Sequence, residues 1–141
     1  MKEIISSCGY RCDACGAFVR NSKTAASRRK VADRWKKYFK LRFQPDKLRC
    51  SGCLSESSAA CPLPAANCEI RECVLARGMV TCADCFDYPC AKMETRMARV
   101  EKVISKYKDR IPTGEFAEFI APYDARKNLD KIRDRRVDRL D

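Results

Sequence analysis

Cys50-Ser-Gly-Cys53 and Cys82-Ala-Asp-Cys85-Phe-Asp-Tyr-Pro-Cys90 are the two stretches that decide how this chain folds. A Cys-x2-Cys turn aims two sulfurs at one point about 2.3 Å from each, which is half of a tetrahedral thiolate site. Gly52 suits the first turn, because glycine takes the left-handed backbone that such turns often require. Cys61, Cys68 and Cys73 lie between the two turns, so eight of the eleven cysteines fall within residues 50–90. The remaining three open the chain as Cys8-Gly-Tyr-Arg-Cys12-Asp-Ala-Cys15. An odd total with metal-site spacings argues for ligation over disulfides. All eleven, Cys8, Cys12, Cys15, Cys50, Cys53, Cys61, Cys68, Cys73, Cys82, Cys85 and Cys90, are candidate ligands. Cys50, Cys53, Cys82 and Cys85 lead the candidates, since two paired turns make the most dependable tetrahedral site, while spacing alone leaves open which cysteines group with which.

The rest of the composition narrows the chemistry. Histidine is absent, which removes the commonest general acid or base near neutral pH. All-cysteine zinc sites are mostly closed and structural, so the balance leans away from an enzyme. No run of about eighteen apolar residues occurs to cross a membrane. Met1-Lys-Glu-Ile-Ile-Ser-Ser lacks the apolar segment of a secretion signal. A cytoplasmic protein with reduced thiols is therefore expected. Zinc, with two ions per chain, is the first expectation. An iron–sulfur cluster is the alternative, although neither standard ferredoxin spacing is present.

The 141 residues suit a single metal-stapled domain. Its predicted class is mainly α, with short β or irregular metal-binding turns. Residues 8–94 form the cysteine-rich core, and 96–141 a helical extension packed on or beside it. Thr24 to Leu41 carries Val31, Ala32, Trp35, Tyr38 and Phe39 on one helical stripe, stopped by Pro45. Trp35 is expected in the core. A short helix is expected from Gly16, and a short strand over Asp46 to Arg49. Cys68 to Ala76 reads as a helix with Gly78 just past its end. A longer helix runs from Pro89 to about Lys108 on Met93, Met97, Val100, Ile104 and Tyr107. Phe116, Phe119 and Ile120 then mark a short helix ending at Pro122, and Asp124 caps a last one through Leu129 and Ile132. Residues 54–67, rich in Ser, Ala and Pro, read as a loop.

Charge is concentrated. The formal net charge is +11, yet residues 20–49 alone hold twelve Lys/Arg against Asp33 and Asp46. The face with Arg28, Arg29, Lys30, Arg34 and Lys37 is either a solvated helix surface or a footprint for nucleic acid or an acidic protein.

The Cys-x3-Cys-x2-Cys spacing at Cys8, Cys12 and Cys15 also matches radical-SAM iron–sulfur enzymes, but the chain lacks the length and alternating strand–helix pattern of their barrels. A closer likeness covers more of it. Cys8-Gly-Tyr-Arg-Cys12-Asp-Ala-Cys15, Cys50-Ser-Gly-Cys53-Leu, Cys68-Glu-Ile-Arg-Glu-Cys73-Val and Cys82-Ala-Asp-Cys85-Phe-Asp-Tyr-Pro-Cys90 resemble, in order over residues 8–94, the cysteine signature of the prokaryotic domain of unknown function numbered 3795. That resemblance implies a small bacterial or archaeal protein that binds zinc, with no established activity. Three functions stay open: a zinc-stapled binding or regulatory module, an iron–sulfur or thiol redox protein centred on Cys8, Cys12 and Cys15, and a metal sensor or buffer.

Overall fold

The computed structural model describes residues 3–50 and 68–140. Cys53, Cys61 and the expected loop over 54–67 lie outside the described residues. Among those described, the protein is mainly helical, with no strand beyond two isolated bridges. The helices are α1 (Ala25–Phe39), α2 (Glu69–Ala76), α3 (Ala91–Tyr107), α4 (Thr113–Phe119) and α5 (Ala125–Leu140), with 3-10 turns at Cys12–Ala14, Pro45–Lys47, Cys82–Asp84, Lys108–Arg110 and Ala121–Tyr123. Among the described residues, no helix is long and apolar enough to cross a membrane.

Local chemistry sets the helix ends. Thr24 caps α1: its hydroxyl accepts from the Ser27 amide at 3.0 Å, and Ser27 reciprocates toward the Thr24 amide. Such a reciprocal cap satisfies two amides that the first turn would otherwise leave without partners. Lys40 closes α1 in the left-handed conformation, and Gly78 does so one residue beyond the cap of α2, at φ +66. The helix expected from Gly16 does not form. Phe18 instead makes a parallel bridge to Cys50. Pro45–Lys47 is a 3-10 turn where a strand was expected, because proline fixes φ and offers no amide to a ladder.

Two apolar clusters share α3 as a spine. The first gathers Val31, Ala32, Trp35 and Tyr38 from α1, Val100 and Val103 from α3, Phe119 from α4, and Leu48, Ile120 and Tyr123 from the connections. The second gathers Ile70 and Val74 from α2, Met93 and Met97 from α3, and Ala125 and Leu129 from α5, together with Cys8, Cys68 and Cys82. Trp35 is in the core as expected, 6 % exposed, with its ring edge-on to Tyr123 and Phe43. Met93, Met97, Phe119 and Leu129 are each at most 1 % exposed, and each contributes about 1.5–3 kcal/mol by leaving water. Tyr10 packs against both clusters.

The fold also sorts the basic residues of α1. Arg28 does not face solvent: it is 9 % exposed and donates to the Ser22 carbonyl at 2.7 Å. Arg34 lies 2.7 Å from Glu115, and Lys30 3.6 Å from Glu118, both acids being on α4. Three of the five cations picked out as a polyanion footprint are therefore committed within the molecule. Arg29 and Lys37 stay exposed.

Candidate functional site

Two Cys-x2-Cys turns are described in full, and they have the same local fold. In Cys12-Asp-Ala-Cys15 the Cys15 amide donates to the Cys12 carbonyl at 3.2 Å. In Cys82-Ala-Asp-Cys85 the Cys85 amide donates to Cys82 at 3.1 Å. The chain then turns again in both, with Phe18 donating to the Cys15 carbonyl and Tyr88 to that of Cys85. Each turn carries one aspartate that accepts the amides of the incoming chain. Asp13 accepts Ile4 at 3.1 Å and pairs with Arg11 at 2.5 Å. Asp84 accepts Val80 at 3.0 Å and Thr81 at 3.3 Å, and it pairs with Arg136. Burial acts to raise both carboxyls, yet the arginine and amide donors outweigh it and hold them below the usual carboxylate range. Asp13 is thus engaged in shaping its turn.

The first turn meets Cys50. The Cys50 amide donates to the Ala17 carbonyl at 2.8 Å and its carbonyl accepts from Val19 at 2.8 Å, so the chain entering the Cys50-Ser-Gly-Cys53 motif is laid against the exit of the Cys12–Cys15 turn. Asn21 ties that exit down by donating to the carbonyls of Asp13 and Cys15. Cys15 and Cys50 both pack against the first apolar cluster. The Cys15 sulfur lies 3.0 Å from the Tyr123 hydroxyl. Burial, and then Cys15, push the Tyr123 phenol well above its ordinary range, so it stays protonated at neutral pH.

The second turn meets a larger group. The Cys82 amide donates to the Ser7 carbonyl at 2.9 Å, bringing Cys8 alongside. Cys68 is the residue preceding α2, Cys73 lies on α2, and Cys90 precedes α3. Burial pushes the Cys82 thiol up to about 12, and the neighbouring sulfurs of Cys8, Cys90, Cys85 and Cys73 add to the rise. Cys8 is likewise raised by burial, against the pull of Ser6 and Arg96. Two arginines serve the group. Arg96 directs its guanidinium at the sulfurs of Cys8 (3.9 Å) and Cys68 (3.6 Å), and Arg77 donates to the Cys85 sulfur at 3.1 Å. Arg133 holds the same turn from α5 through the carbonyls of Ala83 and Cys85.

No two of the described cysteines are joined in a disulfide. Among the described residues, no three Cys, Asp or Glu side chains stand ready around a single metal ion. The fold distributes the described cysteines in a way that spacing left open. Cys50 lies with Cys15 against the first cluster, while Cys82 is a member of the second. Cys8 also belongs to the second cluster and is turned away from Cys15 by Gly9 at φ +94. Spacing along the chain concealed this reversal. Arg77, Arg96 and Tyr123 were missed in the sequence, although Arg77 is four residues past Cys73, one helical turn on.

A family model described as protein of unknown function (DUF3795) matches residues 4–95. The chain belongs to the DUF3795 family. The match spans both turns and both cysteine groups, and ends early in α3. No curated protein and no solved structure matches this DUF3795 chain.

Proposed function

We propose that this DUF3795 protein is a zinc-stapled binding module whose thiols form two separate, structural, all-cysteine centres. One would use Cys12, Cys15 and Cys50, with Cys53 completing it. The other would draw on Cys73, Cys82, Cys85 and Cys90, with Cys8 and Cys68 beside them. The observation that carries this reading is the recurrence of one Cys-x2-Cys turn in two places, each facing further cysteines from distant parts of the chain. The donor set fits zinc in kind, being thiols without imidazole, with the nearest carboxylates engaged by backbone amides and arginines.

Bound zinc would hold the thiols as thiolates and draw them onto one point. The chain's own residues would then distribute the resulting negative charge. Arg77, Arg96 and the Tyr123 hydroxyl supply N–H and O–H donors to sulfur, the outer contacts that orient ligands and fix their basicity. Structural zinc contributes about 10–16 kcal/mol in small zinc-finger peptides, comparable to the whole stability of an ordinary domain. Removing it is therefore expected to unfold the turns.

Elemental analysis with an absorption spectrum, on protein purified without oxygen, tests the reading. Two zinc ions and no visible absorbance are expected, with Cys12→Ser and Cys82→Ser each losing one ion. A protein without bound metal, or one carrying iron with visible charge-transfer bands, overturns it.

A further inference from the structure

Ion pairs and burial take up part of the charge of α1 and leave a group of unpaired cations around the end of that helix. Arg28 faces inward, and Lys30 and Arg34 are matched by Glu118 and Glu115 on α4. Lys36, Lys40, Arg42, Lys47 and Arg49 are all exposed and none pairs with an acid among the described residues. Lys36 lies in the last turn of α1, and Lys40 is the left-handed residue that closes the helix just beyond it. The Pro45–Lys47 turn folds back and packs on α1, placing the rest of the set beside that helix end.

The surface is rigid. Leu48, between Lys47 and Arg49, is completely buried, and Cys50 is hydrogen-bonded to Ala17 and Val19 on both sides. Arg20, over the Phe18 ring at 5.1 Å, extends the basic surface where these two segments meet. Cations at the C-terminal end of a helix are favoured by its dipole, which accounts for Lys36 in the last turn and Lys40 at the cap. It does not account for Arg42, Lys47 and Arg49, which lie beyond the helix and add to the mutual repulsion. Five cations, none of them ion-paired among the described residues, outnumber the exposed Asp46 of the same turn, and such an excess fits a polyanion.

We propose that Lys36, Lys40, Arg42, Lys47 and Arg49 form a binding surface for the phosphate backbone of nucleic acid. A protein partner would draw its affinity from buried aromatic or apolar anchors. The large exposed hydrophobics Leu75, Val80 and Phe86 belong instead to the α2 and Cys82–Cys85 region. A membrane surface would want apolar side chains to insert beside the cations, and Val19, at 47 % exposed, is the large one at this edge among the described residues. Phosphate contacts of this kind bind without reading sequence.

Fluorescence anisotropy with the full chain and a labelled duplex of about 20 base pairs tests this, and five phosphate contacts give a log–log salt slope of about −4.5, a loss of about five-hundredfold between 50 and 200 mM salt. The variant K36E/K40E/R42E/K47E is expected to lose at least about a hundredfold in affinity at the lower salt. A matched variant, K92E/K102E/K127E/K131E, reverses four exposed lysines elsewhere and is expected to stay within about threefold of the parent. Circular dichroism and metal content, measured on both, separate this proposal from the zinc reading: loss of binding with fold and metal intact supports it. It is overturned by absent duplex binding at low salt, by equal loss in both variants, or by tighter binding to polyglutamate or anionic vesicles than to the duplex.

Discussion

Replacing Gly9 by alanine tests how the N-terminal segment closes on the rest of the fold. Gly9 sits at φ +94, and a Cβ built there would lie 2.6 Å from Leu129 Cγ and 3.0 Å from both Leu129 Cδ1 and the Ala125 carbonyl oxygen. Leu129 cannot swing into solvent, since it is completely buried in the second cluster. Two costs add: about 1 kcal/mol for an L-residue with positive φ, and about 1–3 kcal/mol for overpacking. A total of about 2–4 kcal/mol at about 3 °C per kcal/mol lowers Tm by roughly 6–12 °C for a chain of this size. Thermal melts by circular dichroism, in reducing buffer with metal content matched, provide the reading. The double-mutant cycle locates the cause. Leu129→Ala alone costs about 2–5 kcal/mol by its cavity, but it removes the atoms that the methyl added by Gly9→Ala would strike, so the pair should cost less than the sum by about 1–2 kcal/mol. A Tm drop under about 2 °C for G9A, or additivity within about 0.5 kcal/mol, refutes the steric account.

Two further outcomes follow from buried polar groups. Arg28→Ala is expected to destabilise by about 1–3 kcal/mol, because the Ser22 carbonyl loses its buried donor, while duplex affinity stays at the parent value; a large affinity loss with unchanged stability would put Arg28 on the surface after all. Burial and then the Glu115 hydrogen bond push Tyr38 up to about 12, and burial and then Cys8 do the same for Tyr10. Folded values above the unfolded phenol mean that their contribution is complete below about pH 10 and is lost as pH rises toward 12. An ultraviolet titration of the parent minus Tyr38→Phe should give a midpoint near 12 for the missing phenol; a midpoint near 10 would contradict its burial.

The helices were legible because each had a strong local signal. Val31, Trp35 and Tyr38 repeat at helical spacing and Thr24 offers a cap, so α1 differs from its expected span by only a residue or two at each end. Gly78 marked the end of α2 in the same way. The cysteines named the candidate site, but their partition was not legible. Spacing measures distance along the chain, whereas the grouping depends on the Phe18–Cys50 bridge and on the reversal at Gly9. The acidic neighbours of the basic stripe were not legible for a related reason. Glu115 and Glu118 are more than seventy residues from the cations they match, and no periodicity within α1 reports them.

The eight residues from Cys8 to Cys15 reach both halves of the molecule, with Cys8 in the cluster around Cys82 and Cys15 against the one bordering Cys50. This has a consequence for biosynthesis. The segment emerges from the ribosome ahead of its companions, which follow about thirty-five and seventy-four residues later; at roughly 5–20 residues per second that is a wait of about 2–7 s for Cys50 and 4–15 s for Cys82. Throughout that interval its thiols have nothing to pack against. The clasp that joins the two cores is made before the segments it joins, so Cys8, Cys12 and Cys15 must stay unoxidised until Cys50, Cys82 and then Tyr123 and Leu129 arrive.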